Sequence, residues 1–182
     1  TSAKGSLNYD ECAKIFEKWP YALLSITSHS NVTGIGNDIK KLTKMAHDYG
    51  IRVSVDACQT AGTHEFDPYT VDWAVFSGHK MYGPTGVGVL YSRHPYERYR
   101  TVRQGGGSVA HYDFNGNIEY YDGPAKHEVG TPNIAGILGM GIAAEWINFL
   151  GYDKMAEHFT DIDFAMSDTD IFNIKGLNLI YP

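Results

Sequence analysis

The chain has 182 residues, 43% of them hydrophobic and 20% charged, with a formal net charge of −6. That length suits one domain with a sizeable core. The acidic balance, without a basic stripe, excludes nucleic acid as the main partner, and no apolar run approaches membrane-spanning length.

Residues 1–8 read as an extended or turn segment without an apolar signal core. No initiator Met is present, which suggests a start inside a longer protein; processing would leave the same start. Asn8 and Glu11 have capping-box spacing, and Cys12, Ile15, Phe16 and Trp19 follow at helical spacing until Pro20. The apolar run in Tyr21 to Thr27 predicts a buried strand leaving into a polar, glycine-punctuated loop through Asn31, Gly34 and Gly36. Asp38 is placed to cap a helix with Ile39, Leu42, Met45, Ala46 and Tyr49 on one face, stopped by Gly50. Ile51 to Val55 predicts the next strand, followed by Asp56 and Gln59. A third strand, Trp73 to Phe76, leaves through Ser77, Gly78, His79 and Lys80.

Val87 to Tyr91 follows too soon for a helical crossover and predicts an antiparallel strand. Tyr96 to Arg103 reads as a short helix, and residues 104–127 as a hairpin or long loop around Gly105, Gly106 and Gly107. Thr131 is placed to cap a helix with Pro132 in its first turn. Ile134 to Leu150 is apolar nearly all round, which predicts deep packing. Beyond Gly151 the pattern weakens to a helix from Tyr152 to Met166 and a short strand near Leu177 to Tyr181.

The strand-helix-strand order predicts parallel strands, whose exits share one sheet edge. That edge collects Asn31, Asp56, Gln59, Ser77, His79 and Lys80. A lysine at a buried strand's exit loses its proton through desolvation or a cationic neighbour and then attacks carbonyls; otherwise it is a solvated surface charge. Asp56 reads either as a functional carboxylate or as a turn cap, and Asn31 as a ligand contact or a turn former. Ser77 and His79 alternate about Gly78 and can face one anion, or His79 is structural. Cys58 reads as a small packed side chain. The Gly83, Gly86 and Gly88 spacing lacks the Gly-Lys-Ser/Thr ending of a phosphate loop. The eight histidines show no metal-ligand spacing, so no metal is expected.

Five runs occur in order: Asn31-Val32-Thr33-Gly34, Val55-Asp56-Ala57-Cys58-Gln59, Phe76-Ser77-Gly78-His79-Lys80-Met81-Tyr82-Gly83-Pro84-Thr85-Gly86-Val87-Gly88, Gly105-Gly106-Gly107-Ser108 and Glu128-Val129-Gly130-Thr131-Pro132-Asn133. Together they resemble the class V aminotransferase family of pyridoxal-phosphate (PLP) enzymes, and within it the SufS-like cysteine desulfurases and selenocysteine lyases, over roughly residues 5–151. The resemblance implies an α/β fold: part of a fold type I PLP-dependent transferase large domain, a mainly parallel sheet with helices on both faces, over residues 1–151. Residues 152–182 would then begin a small C-terminal domain.

It further implies that Lys80 forms the Schiff base with PLP, that Asp56 pairs with the pyridinium nitrogen, and that Gln59 bonds the ring hydroxyl. Ser77 and His79 would bind the phosphate, and Asn31 would lie near the ring oxygen and the substrate carboxylate. Thr131 would reach the phosphate of the neighbouring subunit in a homodimer. The implied reaction removes sulfur from L-cysteine to leave alanine, through a persulfide on a cysteine outside this chain, with a sulfur-acceptor protein as partner. Neither Cys12 nor Cys58 matches that cysteine. The alternatives are another class V reaction (transamination, epimerisation or kynureninase-like cleavage) and a non-catalytic dimerisation scaffold. The two cysteines form no disulfide framework, which predicts a reducing, cytoplasmic setting.

Overall fold

The computed structural model describes residues 5–169 and 174–175; the strand expected near residue 177 lies outside them. Helix α1 (Tyr9–Lys18) starts where the Asn8 side chain accepts from the amides of Asp10 (3.1 Å) and Glu11 (3.2 Å), satisfying donors that a helix start leaves without partners. Strand β1 (Leu23–Thr27) follows. Helix α2 (Ile39–Asp48) is capped by Asp38, whose carboxylate accepts from the Lys41 amide at 2.9 Å. Its buried residues Ile39, Leu42, Thr43 and Ala46 recur at helical spacing. Gly50 takes φ +71° behind it, a conformation that costs glycine little.

Strands β2 (Arg52–Asp56), β3 (Trp73–Ser77) and β4 (Gly88–Ser92) complete a sheet of order β1-β2-β3-β4. The first three are parallel and β4 runs antiparallel to β3, as the short connection after Lys80 requires. Phe16 of α1, Ile39 and Ala46 of α2, Val53 and Val55 of β2 and Ala74 of β3 form one core cluster, with Leu24 and Ile26 of β1 packed against it. A second, smaller cluster joins Ala61, Met81, Ile147 and Met155. Strands β5 (Val109–Tyr112) and β6 (Ile118–Tyr120) form a hairpin, one of the two readings of residues 104–127. Helices α3 (Ile134–Leu150) and α4 (Tyr152–Ser167) end the described structure. No single described helix is long and apolar enough to cross a membrane; α3 and α4 together reach that length but meet at 79°.

Three expectations are corrected. Tyr96 to Arg103 is not a helix: only Tyr96–Arg98 makes a 3₁₀ turn. Tertiary bonds override the local pattern there, because the Tyr99 hydroxyl accepts from the Trp73 indole at 2.8 Å and pairs with the Ser92 hydroxyl at 2.8 Å. Thr131 does not cap α3. Asn133 does, accepting from the Gly136 amide at 3.0 Å, and Pro132 lies before the cap. The Asn133 carboxamide satisfies the Gly136 amide three residues on, the bond that marks the helix start, so the helix begins at Ile134. Finally, α3 is not deeply packed. Only Gly136, Ala143 and Ile147 are buried, while Leu138, Ile142 and Phe149 are exposed. The helix contacts the 3₁₀ turn Gly78–Met81 and α4 along one stripe, so uniform apolarity did not translate into burial on every side.

At the opposite end of β3 from Lys80, Asp72 is 5% exposed. Its carboxylate accepts from the Val53 amide (2.8 Å), His47 Nε2 (2.8 Å) and His94 Nε2 (2.9 Å). Burial raises its pKa, but the Val53 amide and the two imidazoles outweigh that and hold the carboxyl below its ordinary value. A depressed carboxylate contributes stability that is complete above the unfolded-state value and disappears as pH falls through the folded one. Asp72→Asn is therefore expected to lower stability by about 1–3 kcal/mol at neutral pH and to flatten the acid limb of a urea-denaturation series below about pH 4. An acid limb unchanged from wild type would contradict this role. On α3, Ile147→Ala should cost about 2–5 kcal/mol, whereas Phe149→Gln should stay within about 0.5 kcal/mol; equal losses in the same urea series would contradict the one-stripe packing.

Candidate active site

The parallel register aligns Thr27 of β1 with Asp56 of β2, and Asp56 with Val75 of β3. Three chain exits therefore meet at one sheet edge, the place where open α/β sheets bind ligands. Ser28 donates its amide to the Asp56 carbonyl at 2.9 Å and Ala57 donates to the Val75 carbonyl at 2.8 Å, tying the exits together one step beyond the strands.

From β1 the chain enters a loop closed by a bridge between His29 and Gly36. The Ser30 hydroxyl accepts from the amides of Val32 and Thr33, both at 3.2 Å, and this local turn leaves Asn31 exposed. From β2, Asp56 is exposed, and its carboxylate accepts from the Cys58 amide at 2.9 Å. That bond is the turn-capping role expected of an aspartate, and it leaves further acceptor positions for a ligand. Gln59 follows, and its amide donates to the Asn31 side-chain oxygen. The β1 and β2 exits are thus joined side chain to side chain.

From β3, Ser77 leads into the 3₁₀ turn Gly78–Met81, which ends at Tyr82 with φ +62°. His79 and Lys80 are exposed on this turn, while Gly78 and Met81 are buried beneath it. The turn needs glycine at its base: a Cβ on Gly78 would lie 2.8 Å from Val87 Cγ2 and 3.0 Å from Met140 Sδ. Cys58 is half-buried and its thiol sits 3.3 Å from the Ser77 hydroxyl, connecting the β2 and β3 exits. Asn31, Asp56, Gln59, Ser77, His79 and Lys80 therefore share one edge, as expected.

Thr131 stands apart. It is exposed before α3, on a loop held where the Gly130 amide donates to the Gly106 carbonyl at 2.6 Å. Among the described residues, no hydrogen bond joins it to the strand exits.

Sequence reasoning missed a network behind the edge. The Thr60 hydroxyl meets the Ser28 hydroxyl and lies 2.9 Å from His29 Nδ1, and the His29 ring stacks on His64 with centroids 4.7 Å apart. Burial, then the charge of His64, lowers the His29 pKa. The neutral imidazole is the form with both an acceptor and a donor nitrogen. Nothing in the spacing of Ser28, His29, Thr60 and His64 marks them as partners; the parallel pairing of β1 with β2 brings them together.

Comparison with known proteins identifies the family of the chain. The profile of the Aminotransferase class-V family matches residues 1–181. Proteins named cysteine desulfurase from Escherichia coli O8 (strain IAI1) and Escherichia coli (strain K12 / DH10B) are each 36% identical over 98% of this chain and 44% of their own length. The chain thus spans less than half the length of the curated relatives it matches. Among solved structures, the apo cysteine desulfurase from Thermococcus onnurineus NA1 superposes with a TM-score of 0.77 at 30% identity, over 84% of this chain and 38% of that one. The cysteine desulfurase CsdA from Escherichia coli gives 0.63 at 35% identity, over 73% and 34%. A NifS-like protein gives 0.78 at 26% identity, over 99% and 45%.

Class V aminotransferases are PLP enzymes. The groups at the edge fit that cofactor: an exposed amine for its aldehyde, an exposed carboxylate for its pyridinium, an amide for its ring hydroxyl, and a hydroxyl with an imidazole for its phosphate. This chain belongs to the class V aminotransferase family.

Proposed function

We propose that this chain carries the lysine-bearing part of a PLP-dependent cysteine desulfurase, which takes sulfur from L-cysteine and leaves alanine. The observation that carries the reading is the exposed Lys80 at the β3 exit, on the same edge as Asp56 and Gln59. The relatives named cysteine desulfurase support the choice of reaction within the family.

When bound, PLP supplies an electron sink for charge that develops at the substrate α-carbon. Asp56 would hold a proton on the ring nitrogen, which would keep that sink effective. Its own orientation is fixed from behind by the Cys58 amide. Gln59 would donate to the ring hydroxyl, and Asn31, which accepts from the Gln59 amide, would stand near the substrate carboxylate. Ser77 and His79 would hold the phosphate, with the Ser77 hydroxyl steadied by the Cys58 thiol. The Lys80 amine would hold the aldehyde and would be placed to move the proton at the substrate α-carbon.

The sulfur-accepting thiolate belongs to a residue other than Cys12, which packs against the α1–α2 core, or Cys58, which is turned to Ser77. A homodimer in which Thr131 meets the neighbouring subunit's phosphate, and a sulfur-acceptor protein, complete the proposal. Both cysteines are free thiols, which supports a reducing, cytoplasmic setting.

The assay is release of alanine and sulfide from L-cysteine by the purified protein with PLP and a thiol reductant. Lys80→Ala should lower the rate by at least about 10²-fold, the scale of a lost acid–base group. Asp56→Asn should lower it by about 10²–10³-fold, as expected for losing a preorganised electrostatic partner, while PLP still binds. Pyruvate and ammonia in place of alanine, or full activity in Lys80→Ala, would contradict the reading.

A further inference from the structure

A second contact path leads to Lys80 from outside the strand exits. The turn after β2 carries Asp56 and Gln59 and runs on through Ala61 and Gly62. Gly62 is buried, and it abuts the backbone of the lysine turn directly. A Cβ at Gly62 would collide with the Lys80 carbonyl oxygen and lie 3.0 Å from Met81 Cα. The opposing atoms are backbone, so no side chain can swing aside. The preceding carbonyl, of Ala61, accepts from the Tyr152 hydroxyl at 3.1 Å. Tyr152 is the first residue of α4.

Packing fixes the same path. Ala61 and Met81, the residue after Lys80, belong to one buried cluster with Ile147 of α3 and Met155 of α4, and Phe76, Tyr152 and Phe159 lean on it. Burial, then the charge of Glu65, raises the Tyr152 pKa, so its hydroxyl keeps the proton it donates. The first turn of α4 is therefore tied by a hydrogen bond to the peptide on which the lysine turn rests.

We propose that Tyr152, acting through the Ala61–Gly62 peptide, is a positioning residue for Lys80: it sets the height of the lysine turn against the turn carrying Asp56 and Gln59. The proposal rests on the reading of the edge as a PLP site. It makes α4 part of the machinery that presents the amine, even though its residues lie beyond the strand-exit motifs.

Two ligands separate this role from general support of the fold. Pyridoxal 5′-phosphate offers an aldehyde: the Lys80 nitrogen forms a C=N bond to the aldehyde carbon with loss of water, and borohydride delivers hydride to that carbon to leave a stable secondary amine. Pyridoxine 5′-phosphate has an alcohol in place of the aldehyde, so it fills the same donors without needing the lysine.

In the purified protein, Tyr152→Phe should slow borohydride-trapped attachment to Lys80 by about threefold to tenfold, the scale of one lost hydrogen bond. Its affinity for pyridoxine 5′-phosphate should stay within about twofold of wild type. Gly62→Ala should slow attachment further in the same direction. Should that variant fail to fold, Tyr152→Phe alone still decides, since it removes one hydroxyl and keeps the ring in the cluster. An unchanged attachment rate in Tyr152→Phe, or equal losses with both ligands, would overturn the proposal. A wild-type protein that binds neither ligand would overturn the underlying reading of the edge, and this proposal with it.

Discussion

The parallel pairing of β1, β2 and β3 is the constraint on which the site depends. A one-residue slip in either pairing would reverse which side chains face the core. The pairing is held by Val53 and Val55, both fully buried between α2 and the neighbouring strands. With that register fixed, Thr27, Asp56 and Val75 stand side by side, and each chain must leave the sheet at the same edge. The polar residues that follow are gathered by topology, without needing to attract one another.

What topology gathers, close backbone contacts then set in place. Gly78 lets the lysine turn approach Val87 and Met140, and Gly62 lets the β2 turn approach Lys80 itself. Side-chain bonds cross between exits, from Gln59 to Asn31 and from Cys58 to Ser77. The apolar cluster of Ala61, Met81, Ile147 and Met155 lies underneath. The exposed amine therefore stands on a buried base, the arrangement expected where a reactive group must be held at a fixed place on an open edge.

Much of this was legible in the sequence because its causes are local. Asn8 and Asp38 cap helices by bonding to amides two or three residues away. The apolar runs ending at Thr27, Val55 and Phe76 mark strands, and the shortness of the link after Lys80 dictates an antiparallel β4. The illegible parts have distant causes. The His47–Asp72–His94 cluster, the His29–Thr60 contact and the bond from Tyr152 to Ala61 join residues 22 to 91 positions apart. In α3 an all-round apolar pattern carries no face, so it could not show that only Gly136, Ala143 and Ile147 would be buried. Thr131 and Asn133 are both good caps by type, and Pro132 suits a helix start after Thr131 equally well; the choice shows only in the bond from the Gly136 amide to Asn133.

The most direct test of the account is peptide mapping after the purified protein is incubated with PLP and reduced with borohydride. The account predicts a visible absorption band that reduction abolishes, and a pyridoxyl group on the peptide containing Lys80 and on no other lysine peptide. A protein that stays colourless, or label spread over surface lysines such as Lys40 and Lys44 with none on Lys80, would contradict it.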